Sequence, residues 1–283
     1  MRELLTKLER ASRLDAASEW AQRAVGSVLR SQRLRDVLHG VWLGHPLHPA
    51  MVQVPVGAWS SAAILDLLPG QRRAATVLVG VGTAAALPAA VAGWNDWAAL
   101  NREQRRVGLV HAAANIAGVT LYAGSFAARL AGRHGVGRTL AYLGLAAAGG
   151  GAYLGGHLAY KQAAQVNQSV AETHRLSEDW RPVADLDQVP DSTLVSRTVD
   201  DVDVVLYRDG ESLTVMLDRC AHQSGPLGAG KVVTVNGRAC VECPWHASRF
   251  RLDNGQVVQG PAGTDQQVLP VRVVAGVIET RLP

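Results

Sequence analysis

Cys220-Ala221-His222 and Cys243-Pro244-Trp245-His246 are two Cys-His pairs at spacings C-x-H and C-x-x-H. Together they offer two thiolates and two imidazoles. That mixed set suits a 2Fe-2S centre in which Cys220 and Cys243 hold one iron and His222 and His246 the other; neutral ligands replacing anionic ones raise the reduction potential. A tetrahedral zinc site takes the same four donors. Zinc fingers, however, present C-x2-4-C followed by H-x3-5-H, whereas here each Cys travels with its own His.

The chain around these ligands, CAHQSGPLGAG and then CPWHASRFRLDNGQVVQGPA, resembles the Rieske family of ferredoxins and oxygenase domains, from Trp180 to Pro283. The resemblance implies an all-β domain and one-electron transfer. Rieske proteins of cytochrome bc complexes carry an additional Cys after each ligand pair, joined in a disulfide; Gly225 and Trp245 stand at those positions here. High-potential members also have a serine and a tyrosine after the second His whose hydroxyls donate to sulfur. By that resemblance Ser248 keeps one donor and Phe250 lacks the other, which implies a lower potential. Ala247 stands where the family usually has Gly. Cys240 has no evident partner and is expected to be an apolar core thiol. Three cysteines, two of them ligands, make no disulfide framework and suit a reducing compartment.

Upstream the composition changes. The mean hydropathy of +0.06 averages two unlike halves. Residues 74–94, 107–128 and 139–160 contain no Asp, Glu, Lys or Arg, and each is long enough at about 1.5 Å per residue to cross about 30 Å of hydrocarbon. A fourth run, 49–68, is interrupted only by Asp66 and by Pro55, which a membrane helix tolerates as a kink. Four transmembrane helices are expected, against a soluble Ala-rich bundle as the alternative. Small residues four apart in 149–156 favour close helix packing in lipid.

Before these runs, Leu4, Leu5, Leu8, Trp20, Val25 and Val28 recur at helical spacing with arginines between them. The segment reads either as an amphipathic helix on the membrane surface or as a solvated helix packed on the rest of the protein. No short apolar core or cleavage site marks a secretory signal. A net charge of +4 raises nucleic acid as a partner, but the arginines are dispersed and form no patch interleaved with aromatics. They fit a role in orientation: Arg30, Arg33, Arg35, Arg102, Arg105, Arg106 and Lys161 flank the spans on the N-terminal side, against Arg72, Arg73, Arg129, Arg133 and Arg138 on the other. That bias points to a cytoplasmic N-terminus. An even number of spans then places the C-terminal domain in the cytoplasm too.

The segment Leu43-Gly44-His45-Pro46-Leu47-His48-Pro49 resembles the HPLHP start of a bacterial family of predicted four-helix membrane domains of uncharacterised function. Gly93-Trp94-Asn95-Asp96-Trp97, His111 with Asn115, and the stretch from Gly155 to Tyr160 extend the resemblance over most of residues 40–165. Alternating helix directions bring His48, Asp96, His111 and His157, with His45 just outside, to one membrane edge. Three readings compete there: a hydrogen-bonded network sealing the bundle, a haem or metal site, and a quinone pocket.

The expected fold is therefore a multidomain chain: an amphipathic segment (1–40), a four-helix transmembrane domain (41–161), a polar linker (162–179) and an all-β Rieske domain (180–283). Strand-like runs at 202–207, 213–217 and 268–274 alternate with Gly, Asn and Asp turns. The expected function is one-electron transfer by a 2Fe-2S protein on the bacterial cytoplasmic membrane, multi-pass, with the lipid bilayer and a redox protein or small-molecule donor and acceptor as partners. A quinone- or haem-linked oxidoreductase and a redox sensor are the alternatives. A Rieske oxygenase would need a further domain with a mononuclear iron, which is not expected with only Pro283 closing the chain.

Overall fold

The computed structural model describes residues 2–283, which divide into two compact units: 2–31 with 47–164, and 32–46 with 165–283. The first unit is helical. Helices α1 (Arg2–Glu9) and α2 (Asp15–Val28) belong to it, whereas α3 (Gln32–His39) groups with the second unit. Then follow α4 (Leu47–Met51), α5 (Gln53–Leu65), α6 (Arg72–Trp97), α7 (Arg102–Leu130) and α8 (His134–Gly156), with a π-helical turn at His157–Lys161. The apolar run at 49–68 is thus two helical pieces. Pro55 sits in the first turn of α5, where its missing N–H leaves no helical bond unmade.

Helix α5 packs on α6 and α8, and α7 packs on α6 and α8. Stacked rings of Trp59 and Tyr122, with centroids 4.1 Å apart, fill the centre of this bundle. Glycines on α8 permit the tight approach of α7: Cβ atoms on Gly144, Gly151 and Gly155 would meet Tyr122, Asn115 and His111. Gly149 and Gly150, from the same small-residue stretch, face open space. At one end the buried Arg129 guanidinium donates to both oxygens of Asp66, and Ser125 donates to the Gly137 carbonyl at 2.6 Å. At the other end Asn101 and Gln104 form a reciprocal capping box that starts α7.

Among the described residues two helices, α6 and α7, are long and apolar enough to cross a membrane, fewer than the four expected from the sequence. The N-terminal helices dock by polar contacts. Arg106 forms a two-pronged pair with Asp15 at 2.7 Å, and Glu9 accepts from Lys161 and His157, each at 2.8 Å. The Lys161 ammonium, followed by His157, holds the Glu9 carboxyl below its ordinary value despite an opposing effect of burial.

The second unit contains α3, a short α9 (Val170–Thr173) and eleven strands. They are β1 (Arg181–Asp185), β2 (Leu194–Val199), β3 (Val202–Asp209), β4 (Ser212–Leu217), β5 (Lys231–Val235) and β6 (Arg238–Glu242), followed by β7 (Arg249–Arg251), β8 (Val257–Gln259), β9 (Val268–Leu269), β10 (Val271–Val274) and β11 (Val277–Thr280). The sheets are ordered β1-β11-β10, β2-β3-β4-β9 and β5-β6-β7-β8, with every paired strand antiparallel. Asp200-Asp201, Asn236-Gly237 and Ala275-Gly276 turn three of the hairpins with both residues at positive φ, the conformation that matches strand twist.

Alternation along β3 explains why two cores form. Val204 and Leu206 point into one, with Val215, Leu217 and Ile278, while Val205 and Tyr207 point into the other, with Met216, Phe250, Cys220 and Cys243. The β3–β4 hairpin therefore separates a purely aliphatic core from the one that carries the candidate ligands.

Candidate metal centre

Two loops carry the four candidate donors. The first leaves β4 and the second connects β6 to β7. Their backbones repeat one pattern. Cys220 N–H donates to Gly225 O at 2.9 Å and Ser224 N–H returns to Cys220 O at 2.9 Å; Cys243 N–H donates to Ser248 O at 2.8 Å and Ala247 N–H returns to Cys243 O at 3.0 Å. The fifth residue of each loop is left-handed, Ser224 at φ 62° and Ala247 at φ 58°. Glycine adopts that conformation without strain, and in the second loop it is Ala247 that holds it.

The loops face each other so that like donors meet. The two thiols lie within hydrogen-bond reach. The Cys220 thiol donates to Cys243, which pushes the Cys243 thiol down to about 6, helped by the N–H groups of Trp245 and His246. The same bond, together with burial, pushes Cys220 up. The imidazoles of His222 and His246 stand edge to face, with centroids 5.0 Å apart. Burial, then the neighbouring His246 and His39, pushes the His222 ring down to about 3, so it is neutral at physiological pH. Neutral imidazole and thiolate are the forms that bind metal.

This arrangement fits a binuclear iron-sulfur group. Among the described residues, no three His, Cys, Asp or Glu side chains gather as a single-ion site; the donors form a sulfur pair and a nitrogen pair. The His222 Nε2 is buried without a partner. Gly225 keeps the cradle open, because a Cβ there would lie 2.8 Å from the Cys243 Sγ and 3.1 Å from the Trp245 ring. Gly225 and Trp245, which the sequence resemblance aligns with the additional cysteines of bc-complex proteins, pack directly on each other.

Ser248 is fully buried, and its Oγ accepts from Ala262 N–H at 2.9 Å, leaving its own proton free to donate. Phe250 is fully buried in the same core. Cys240 is buried on β6, and burial pushes its thiol up. Sequence reading missed Gln266. This buried amide accepts from Ala221 N–H at 2.9 Å and donates to Leu217 O and Arg219 O, at 2.8 and 2.9 Å, so one side chain pins the first loop. Nothing in the local sequence marks a loop glutamine for burial.

The histidines of the helical unit are dispersed. His48 and His111 come within 6.4 Å, ring to ring, and each bonds a carbonyl through Nδ1: His48 that of Ala89, and His111 that of Gly151, both at 2.8 Å. Asn115 adds an amide beside His111. His157 turns instead to Glu9, and Asp96 is buried on the last turn of α6. His45 is exposed and belongs to the other unit.

Two family models match the chain: Rieske [2Fe-2S] domain over residues 179–271 and Predicted membrane protein (DUF2231) over residues 44–168. The anthranilate 1,2-dioxygenase ferredoxin subunit of Burkholderia cepacia is 27% identical over 104 residues, covering 37% of this chain and 93% of that one. The 3-phenylpropionate/cinnamic acid dioxygenase ferredoxin subunit of Escherichia coli (strain K12) is 32% identical over 102 residues, covering 36% and 90%. Among solved structures, the ferredoxin of carbazole 1,9a-dioxygenase from Nocardioides aromaticivorans IC177 is 27% identical, covering 37% of this chain and 98% of that one, with a TM-score of 0.34.

Proposed function

The chain belongs to the Rieske [2Fe-2S] family through residues 179–271, and from that premise we propose that it is a membrane-anchored one-electron carrier. The observation that carries the reading is the pairing of two matched loops, thiol against thiol and imidazole against imidazole. Cys220 and Cys243 would hold one iron of a 2Fe-2S cluster, and His222 and His246 the other. When bound, the cluster supplies the one-electron couple. The protein positions its ligands, excludes water and limits approach. Ferredoxin subunits of dioxygenases among the relatives support a redox protein, such as an oxygenase component, as partner.

Anchoring is supported by the match to a predicted membrane family, by the composition of α6 and α7, and by outward-facing aliphatic side chains. Val56, Val77, Val81, Leu87, Ile116 and Leu143 each expose between 48% and 61% of their surface, a costly display in water and a natural one in lipid. In this reading α4–α5 and α8 complete four spans, 162–179 serves as the linker, and the arginine bias sets the β unit on the cytoplasmic side. For the membrane histidines we favour a structural network over haem or quinone, since His48 and His111 spend ring nitrogens on carbonyls and His157 pairs with Glu9.

Electron paramagnetic resonance of the detergent-purified, reduced protein tests the assignment. A Rieske-type signal is expected from the full chain, to be lost in His246→Ala and kept in Cys240→Ser. Retention in His246→Ala, or loss in Cys240→Ser, would show that the ligand set is misassigned.

A further inference from the structure

The end of the helical unit that holds the Arg129–Asp66 pair is strongly cationic. Arg72, Arg73, Arg129, Arg133 and Arg138 lie in its turns and the adjoining helix ends, whereas the sequence has no Asp or Glu over 67–95 or over 104–171. Asp66 is the one carboxylate there among the described residues, and it is already engaged: Arg129 donates to both of its oxygens, and Arg138 donates to its carbonyl at 3.5 Å. Arg72 and Arg73, on the first turn of α6, are exposed and have no acidic residue beside them in that turn.

Along the seam of α6 and α7 at this end runs an open groove of about 700 Å³. Its rim is polar, formed by Arg72, Arg73 and His134, and the Nδ1 of His134 is buried without a hydrogen-bond partner. Its floor is apolar, formed by Val77, Val81, Phe126 and Leu130. Gly80 lies between the two valines, where a Cβ would stand 2.7 Å from the Phe126 ring, so the ring rests on bare backbone and leaves the floor open. Arg72 to Val81 spans about 14 Å of helix axis. Charge and apolar surface are thus separated along the axis of the bundle. An anion without a tail uses only the rim, and an apolar molecule only the floor; an anionic amphiphile uses both.

We propose that this groove binds one anionic phospholipid, its phosphate held by Arg72, Arg73 and the His134 ring and an acyl chain lying along Val77, Val81 and Phe126. The proposal rests on the membrane reading of the helical unit and not on the ligand assignment of the metal centre. A guanidinium matches phosphate in shape and bonds it through two N–H groups at once, and basic pockets between membrane helices hold anionic head groups in this way. A zwitterionic lipid brings a phosphate too. Its ammonium, however, would meet the same arginines, and the nearby carboxylate of Asp66 is already spent on Arg129. Net negative charge on the head group is therefore what the rim selects, and the floor selects for a tail.

Native mass spectrometry of the full-length, detergent-solubilised protein tests this, with titrations of phosphatidylglycerol, of phosphatidylcholine with the same acyl chains, and of inorganic phosphate. Phosphatidylglycerol is expected to bind as one lipid per chain at a concentration about tenfold or more below that needed for phosphatidylcholine. Equal binding of the two lipids by the unmodified protein would overturn the proposal without any variant having to fold. Phosphate binding as tightly as phosphatidylglycerol would overturn it as well, since the floor would then contribute nothing. Arg72→Gln combined with Arg73→Gln should abolish the preference. Arg133→Gln combined with Arg138→Gln removes the same charge from the same end but outside the groove, and should keep it; equal loss in both double variants would assign the preference to general charge and sink the site. Alkaline carbonate extraction of membranes separates this result from the premise: release of the chain into the soluble fraction would defeat the membrane reading and the proposal with it, whereas retention without lipid preference would defeat the site alone.

Discussion

The two ligand loops share a backbone and differ in what surrounds them. Cys220 to Gly225 and Cys243 to Ser248 close with the same pair of hydrogen bonds and the same left-handed fifth residue. The first is held on several sides: Gln266 bonds its backbone, Gln168 N–H donates to Ala221 O at 2.9 Å, and its histidine is buried. The second is tied through buried Ser248 but presents Pro244, Trp245 and His246 to the outside. One geometry thus stands in two settings, with a buried imidazole on the first loop and an exposed one on the second.

The sharpest way to break the comparison is at the point where the loops touch. Gly225→Ala places a methyl 2.8 Å from the Cys243 Sγ, closer than Cβ atoms approach other groups, and a tight 3.1 Å from the Trp245 ring. Overpacking of this kind costs about 1–3 kcal/mol and here displaces a ligand. Cluster occupancy, measured as iron per chain and as visible absorption, is expected to fall severalfold; full occupancy would mean that the loops have slack the structure does not show.

Removing the brace on the first loop should cost stability with less effect on the second. Gln266→Ala strands one buried N–H and two carbonyls, for which about 3 kcal/mol of destabilisation is expected. Amide hydrogen exchange should speed up at Ala221 more than at Ala247. Equal acceleration in both loops would show that the brace is not local.

A smaller effect runs the other way. Ala247 holds a left-handed conformation that costs an L side chain about 1–2 kcal/mol, partly offset by the greater freedom of glycine in the unfolded chain. Ala247→Gly should therefore stabilise the β unit by about 0.5–1 kcal/mol in denaturant melts. A loss of stability would show that the alanine methyl has a packing role.

The smallest effect concerns pH. Burial raises the Glu242 carboxyl, but Lys231 at 3.0 Å and Arg249 at 2.6 Å overcome it and hold the group below its ordinary value. A depressed folded value means that this stabilisation is complete above the unfolded carboxylate value of about 4.3 and is lost as pH falls through the folded one. Melting temperature should decline less steeply below that point in Glu242→Gln than in the unmodified protein. Identical slopes would assign the acid sensitivity to other carboxylates.

Several features were legible because they depend on local chemistry. Cys-His spacing named the candidate donors, and apolar runs marked the positions of α5 to α8. The amphipathic N-terminal pattern left a choice between membrane surface and packed helix, and the structure docks α1 and α2 on α7 through Arg106–Asp15 and Glu9. His48, His111 and His157 were expected together at one edge. Helical spacing sets depth along an axis but leaves rotation about it to packing, so His48 and His111 meet while His157 turns to Glu9.

What the sequence by itself determined is the set of groups: two thiols, two imidazoles, a serine near them, and helices of apolar composition ahead of them. Such properties follow from residue type and from spacings of a few residues, which the backbone converts into position without help. What only the tertiary structure decided is which groups separated by many residues share a surface. Gln266 beneath the first loop, Gly225 against Trp245, and a strap from 32–46 laid over Gly260 and Gly263 each depend on two distant segments meeting. No local pattern encodes such a meeting, because burial rewards any apolar or hydrogen-bonded closure, and only the complete packing selects one.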